Sequence, residues 1–127
     1  MKKKDVLREK SFLFALRIID LNKFLISNYR EYVLSKQILR SGTSIGANLA
    51  EARQAQSGPD FIHKLSVSNK EASETKYWLE LVEAGKYISK AQAQSMIVDC
   101  VELQRLLTSS INTARNKTTT KNLKQDS

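Results

Sequence analysis

One cysteine (Cys100), one proline (Pro59), one histidine (His63) and one tryptophan (Trp78) occur in 127 residues, and glycine appears only four times. A lone cysteine excludes an internal disulfide framework and a cysteine-based zinc site. A lone histidine excludes a histidine-rich metal centre and the ferritin-like di-iron pattern, which needs Glu-x-x-His on two helices. So little glycine and proline leaves few tight turns, which argues against an all-β chain. No apolar run approaches the ~20 residues of a membrane span, because the longest, Phe12 to Leu16, stops at Arg17. The Lys2-Lys3-Lys4 start has the charge of a signal n-region, yet no clean apolar stretch or small-residue cleavage site follows it. Gly42 and Gly46 lack the strand–loop context of a phosphate loop, and Ser44 has no base at a recognisable spacing. These absences lead to an expectation of a soluble, cytoplasmic, non-enzymatic domain with no cofactor, no metal and no membrane contact.

What is present is ordinary for one globular domain: 41% hydrophobic and 27% charged residues. The net charge of +8 is unevenly placed. Residues 1–10 and residues 114–127 each carry +3, and the long body between them, 11–113, carries only +2. The chain is therefore read as a basic N-terminal tail (1–10), a helical body (11–113) and a basic, disordered C-terminal tail (114–127), whose Thr118-Thr119-Thr120-Lys121-Asn122 run lacks helical periodicity. Basic tails serve either to seek phosphates or to keep a protein soluble. The positions expected to contact phosphate are Lys2, Lys3, Lys4, Arg8, Lys10, Arg115, Lys117, Lys121 and Lys124 in the tails, with Arg17, Lys23, Arg30 and Arg53 in the body. Trp78 is read as a packing residue, so the body offers no exposed aromatic platform of the single-strand type.

Gly58-Pro59, Gly85 and the region of Asn28-Tyr29-Arg30 divide the body into four helices over about 11–27, 35–56, 60–84 and 89–113. Ser35 is the expected N-cap of the second, Pro59 and Asp60 open the third, and Ser89 with Gln92 forms a capping box for the fourth. Short connections make neighbours antiparallel, giving an all-α, up-down-up-down four-helix bundle. Advancing ~100° per residue gives one core stripe for each of the last three helices: Leu34, Ile38, Ile45, Leu49 and Ala52; then Phe61, Leu65, Ala72, Thr75, Leu79 and Val82; then Ala93, Ile97, Cys100, Leu103, Leu107 and Ile111.

The first helix differs. Phe12, Leu16, Ile19 and Ile26 form one apolar stripe, and Phe14, Ile18, Leu21 and Leu25 another, with centres roughly 140° apart. An apolar circumference calls for burial on more than one side. One stripe is expected to enter the bundle and the other to meet a second subunit, with Phe14, Ile18, Leu21 and Leu25 assigned to that interface.

The most distinctive stretch runs from Gln37 to Ala52. Gly42, Gly46 and Ala50 recur every four residues, permitting close approach of another backbone. Two glycines inside a helix cost about 1 kcal/mol each relative to alanine, so a packing reason is implied. A polar flank of Arg40, Ser44, Asn48 and Glu51 accompanies the core stripe, and Arg40 has carboxylates available in Glu51, Glu71 or Glu74. Such a lattice fixes helix register when every group is satisfied. The segment Ser41 to Ala52 (Ser-Gly-Thr-Ser-Ile-Gly-Ala-Asn-Leu-Ala-Glu-Ala), followed by Asp60-Phe61 and by Glu74-Thr75-Lys76-Tyr77-Trp78-Leu79-Glu80-Leu81, resembles the bacterial four-helix-bundle proteins. Their founding members are the 23S rRNA-intervening-sequence proteins. That family is related to accessory proteins of diversity-generating retroelements, in which five bundles form a basic barrel that engages nucleic acid and a reverse transcriptase. The resemblance spans about residues 10–115. It implies a homopentameric bundle with a role in RNA binding, and it places Arg40, Ser44, Asn48, Glu51 and Glu74 at structural motif positions with no catalytic part. The functional expectation is RNA or DNA binding through phosphates. The alternative is a protein-interaction scaffold with a protein partner and no nucleic acid.

Overall fold

Four α-helices, and no strand, make up the described residues: α1 (Val6–Tyr29), α2 (Leu34–Ala52), α3 (Gly58–Ala84) and α4 (Lys90–Asp126). The computed structural model describes the backbone of residues 5–126 and the side chains of residues 5–117 and 119. The caps account for the boundaries. Asp5 accepts the Arg8 backbone N–H at 2.9 Å and starts α1 inside the segment expected to be a tail. Ser57 accepts from the Asp60 N–H ahead of Pro59 in the first turn of α3. The Ser89–Gln92 capping box forms in both directions, at 3.1 and 2.9 Å.

α2 begins differently from expectation. Ser35 lies inside the helix, its hydroxyl donating to the Glu31 carbonyl at 2.6 Å. The capping oxygens come from the Glu31 side chain, which accepts the N–H groups of Val33, Leu34 and Ser35, each at 2.9 Å. Burial raises the Glu31 pKa, but these three donors outweigh it and hold the carboxyl below its ordinary value. The C-terminal boundary also moves, since α4 continues unbroken to Asp126 where a disordered tail from 114 was expected.

Each helix packs on its sequence neighbours, and α1 closes the ring on α4; across the diagonals no Cα atoms of the described helices come within 8 Å. Cross-helix bonds confirm the antiparallel directions: Ser41 with Thr75 and Ile45 with Ser68 between α2 and α3, and Lys10 with Glu102 and Arg17 with Asp99 between α1 and α4. The stripes expected for the last three helices enter the core, Leu34 and Phe61 at its edge.

The assignment for α1 is reversed. Phe14, Ile18, Leu21 and Leu25, expected at a subunit interface, are buried in the bundle's own core. The reason lies at Gly42, where an added Cβ would stand 2.6 Å from Ile18 Cγ1 and 2.8 Å from both Cδ1 and Cγ2. The missing side chain at 42 seats Ile18, which rotates that face of α1 inward. The opposite side is left outside, with Phe12 64%, Leu13 61% and Leu16 45% exposed.

Candidate nucleic-acid interface

Ion pairs sort the expected phosphate contacts into two groups. Lys10 pairs with Glu102 at 2.6 Å. Arg17 reaches Asp99 at 2.6 Å and Ser95 Oγ at 2.9 Å, and Arg53 pairs with Asp5. These three cations fasten α1 to α4 and the start of α1 to the end of α2, so a phosphate would have to compete with an existing carboxylate. Arg8, Lys23, Arg30, Arg115 and Lys117 are exposed and have no acidic partner among the described residues. Lys2, Lys3 and Lys4 lie outside the described residues. Lys121 and Lys124 belong to the α4 backbone.

The polar motif is structural in its geometry. Arg40 bridges to α3 through Glu71 at 3.2 Å and through Glu74, whose carboxylate also accepts the Trp78 indole N–H at 3.2 Å. Glu51 instead accepts from Lys64 at 2.9 Å. Ser44 donates to the Arg40 carbonyl at 2.6 Å and Asn48 to the Ser44 carbonyl at 2.8 Å, both within α2. Beneath this layer the Ser41 and Thr75 hydroxyls meet at 2.9 Å, and Ser68 donates to the Ile45 carbonyl at 2.8 Å. Cys100 is buried, donates to the Ala72 carbonyl at 3.1 Å, and has its thiol pKa pushed up to about 12 by burial. No group of three or more His, Cys, Asp or Glu side chains suited to a metal ion occurs among the described residues. None of the described helices is long and apolar enough to cross a membrane.

Two surfaces escaped the sequence reading. Between α1 and α2 a groove of about 460 Å³ is floored by Ser11, Ala15, Gly46, Ala47 and Ala50, with Phe12 at its rim. At the end of the bundle carrying the α1–α2 and α3–α4 connections, Tyr29 meets Phe24 edge-on at 5.9 Å between ring centroids and Tyr87 at 5.1 Å. Exposed aromatic side chains are therefore present, contrary to the expectation; Phe24, Tyr29 and Tyr32 lie toward this end, while Phe12 and Tyr77 are exposed elsewhere. Nothing short of the fold joins Tyr29 to a ring 58 positions along the chain.

The model of the 23S rRNA-intervening sequence protein family matches residues 3–109. A solved structure from Bacteroides thetaiotaomicron VPI-5482, a protein of unknown function from the S23 ribosomal protein family, is 55% identical. The match covers 84% of this chain and 98% of that one, with a TM-score of 0.82. Among curated proteins, none matches.

Proposed function

The chain belongs to the family of 23S rRNA-intervening sequence proteins, and we propose that it is a non-enzymatic, homo-oligomeric bundle that binds RNA through phosphate contacts. The observation that carries this reading is the second half of α4. No acidic residue stands between Glu102 and Asp126, while Arg105, Arg115, Lys117, Lys121 and Lys124 do. A cation without a local carboxylate meets a phosphate without first giving up an ion pair, and it keeps its full counterion-releasing charge. Positions 117, 121 and 124 follow i, i+4, i+7 spacing, one stripe of a helix. Ile111 is the last core residue of α4, and the helix runs 15 residues beyond it, about 22 Å at 1.5 Å per residue. That length suits a strand of phosphates better than a compact ligand.

Repetition strengthens weak contacts of this kind. The exposed Phe12, Leu13 and Leu16, beside the small-residue groove, supply the surface assigned to contact between copies. A pentamer, as the family resemblance implies, multiplies the basic arm fivefold. The same α1 surface favours the second reading, a scaffold that binds another protein and uses its charge for solubility alone.

Fluorescence anisotropy of the full-length protein against a labelled RNA hairpin, at ~50 and ~200 mM salt, separates the two. Phosphate binding predicts affinity falling steeply with salt. Arg115→Glu with Lys117→Glu should lower the salt slope by about 2 or more, one unit per lost contact. Equal affinity and slope in this variant, or no binding even at low salt, would leave the scaffold reading standing.

A further inference from the structure

The end of the bundle holding both short connections gathers three of the chain's four tyrosines: Tyr29, Tyr32 and Tyr87. Tyr29 is 49% and Tyr32 60% exposed. Tyr29 is wedged between Phe24 and Tyr87, with interplanar angles of 66° and 86°, so its orientation is set by neighbours on α1 and on the α3–α4 connection. Tyr32 has no ring partner among the described residues and is free to receive one.

The segments that carry these rings are basic. Residues 23–36 and 83–90 together hold Lys23, Arg30, Lys36, Lys86 and Lys90 against Glu31 and Glu83. None of the five cations has a carboxylate partner among the described residues, and Glu31 is committed to three backbone N–H groups of α2. The backbone adds an independent observation. Arg30 (φ 50°) and Lys86 (φ 67°) are the two non-glycine residues at positive φ among the described residues, and each adjoins a tyrosine of the cluster. Turn positions of this kind ordinarily take glycine or asparagine. At Arg30 the left-handed turn caps α1, its N–H donating to the Ile26 and Leu25 carbonyls, and both turns carry a long basic side chain instead.

We propose that this end of the bundle is a platform for single-stranded nucleic acid, with bases stacking on Tyr32 and Tyr29 and the backbone phosphates meeting Arg30 and Lys86. Aromatic faces receive every base type, and flanking cations track the strand. The inference rests on the nucleic-acid reading above but adds a second site, at the opposite end from the basic arm of α4, and a preference for unpaired segments. A strand held here would be read weakly for sequence, through stacking strength.

The test uses full-length protein, a labelled 12-nucleotide RNA of mixed sequence, and the same sequence as a duplex. Tyr32→Ala should weaken single-strand binding about tenfold and leave duplex binding within about twofold, while Tyr32→Phe, which keeps the ring, should behave as wild type. Arg30→Glu with Lys86→Glu should weaken single-strand binding further. Because Tyr32 packs against no other ring, its alanine variant should melt as wild type, and circular dichroism checks this. Duplex binding with single-strand affinity indifferent to Tyr32→Ala would overturn the platform and leave the α4 reading intact. Failure of wild type to bind either RNA overturns both readings. Vesicles of anionic lipid bound in a Tyr32-dependent way, with no single-strand binding, would overturn the platform in favour of a membrane surface.

Discussion

Gly42 and Gly46 sit one turn apart on α2, yet alanine should have opposite effects at the two sites. Removing a helix-interior glycine gains about 1 kcal/mol of helix propensity at either position. At 46 the new methyl would lie 3.4 Å from Ser11 Oγ, ordinary van der Waals contact, so most of that gain should survive. At 42 it would lie 2.6–2.8 Å from three carbons of Ile18. Ile18 is fully buried and β-branched, with one strongly preferred χ1 in a helix, so it has no free rotamer to retreat to. α1 would have to move back, at the roughly 1–3 kcal/mol typical of overpacking. The two variants should therefore differ by about 1–3 kcal/mol, with Gly42→Ala the less stable. Urea melts followed by circular dichroism, at one protein concentration because association adds to apparent stability, measure the difference directly. Ile18→Ala should rescue Gly42→Ala by making room. A Gly42→Ala protein as stable as Gly46→Ala would refute the claim that this contact sets the rotation of α1.

Other substitutions probe the remaining parts. If copies meet through α1 as proposed, Phe12→Glu should lower the molar mass by light scattering and leave helical content unchanged, and an unaltered mass would count against that proposed contact. Glu31→Ala strips the α2 N-terminus of its capping oxygens and should cost about 1 kcal/mol. Since the Glu31 carboxyl is held below its ordinary 4.5, its contribution is present above that pH and fades as pH falls through the lower folded value. The variant's acid-denaturation profile should be correspondingly flatter below about pH 5. Cys100, with its thiol pKa near 12, should resist a maleimide at pH 8 in the native protein and react once urea exposes it; rapid native labelling would contradict its burial.

Helices α2, α3 and α4 were legible because each has a single apolar stripe, and a 3.6-residue period then leaves one answer for the inward face. α1 offers two stripes, and periodicity cannot rank them. The choice is made by a vacancy on another helix, Gly42, which a one-helix pattern does not contain. The polar run at 118–122 was misread for a related reason. Periodicity reports packing, and a helix already propagating from Lys90 can continue without any. The N-terminal cap was hidden by its setting, because Asp5 beside Lys2-Lys3-Lys4 looks like part of a charged tail until its carboxylate is seen on the Arg8 N–H. Among the cations, charge counting could not tell Arg17 from Arg115. The difference is an aspartate 82 positions away on a facing helix.

The ring of helices, whose backbones come close only between neighbours, bears on how the molecule assembles and how it opens. Three of its four seams join sequence neighbours, so most native contacts can form by successive hairpin closures, a low-contact-order route that favours fast folding. Only the α1–α4 seam must wait for chain ends to meet, and it is also the thinnest. Its Lys10–Glu102 and Arg17–Asp99 pairs are partly exposed and screened by salt. The first sub-global opening of the bundle should therefore be α1 swinging away from α4 as one cooperative unit. Its amides would exchange hydrogen faster than those of α2 and α3, and faster still as salt is raised.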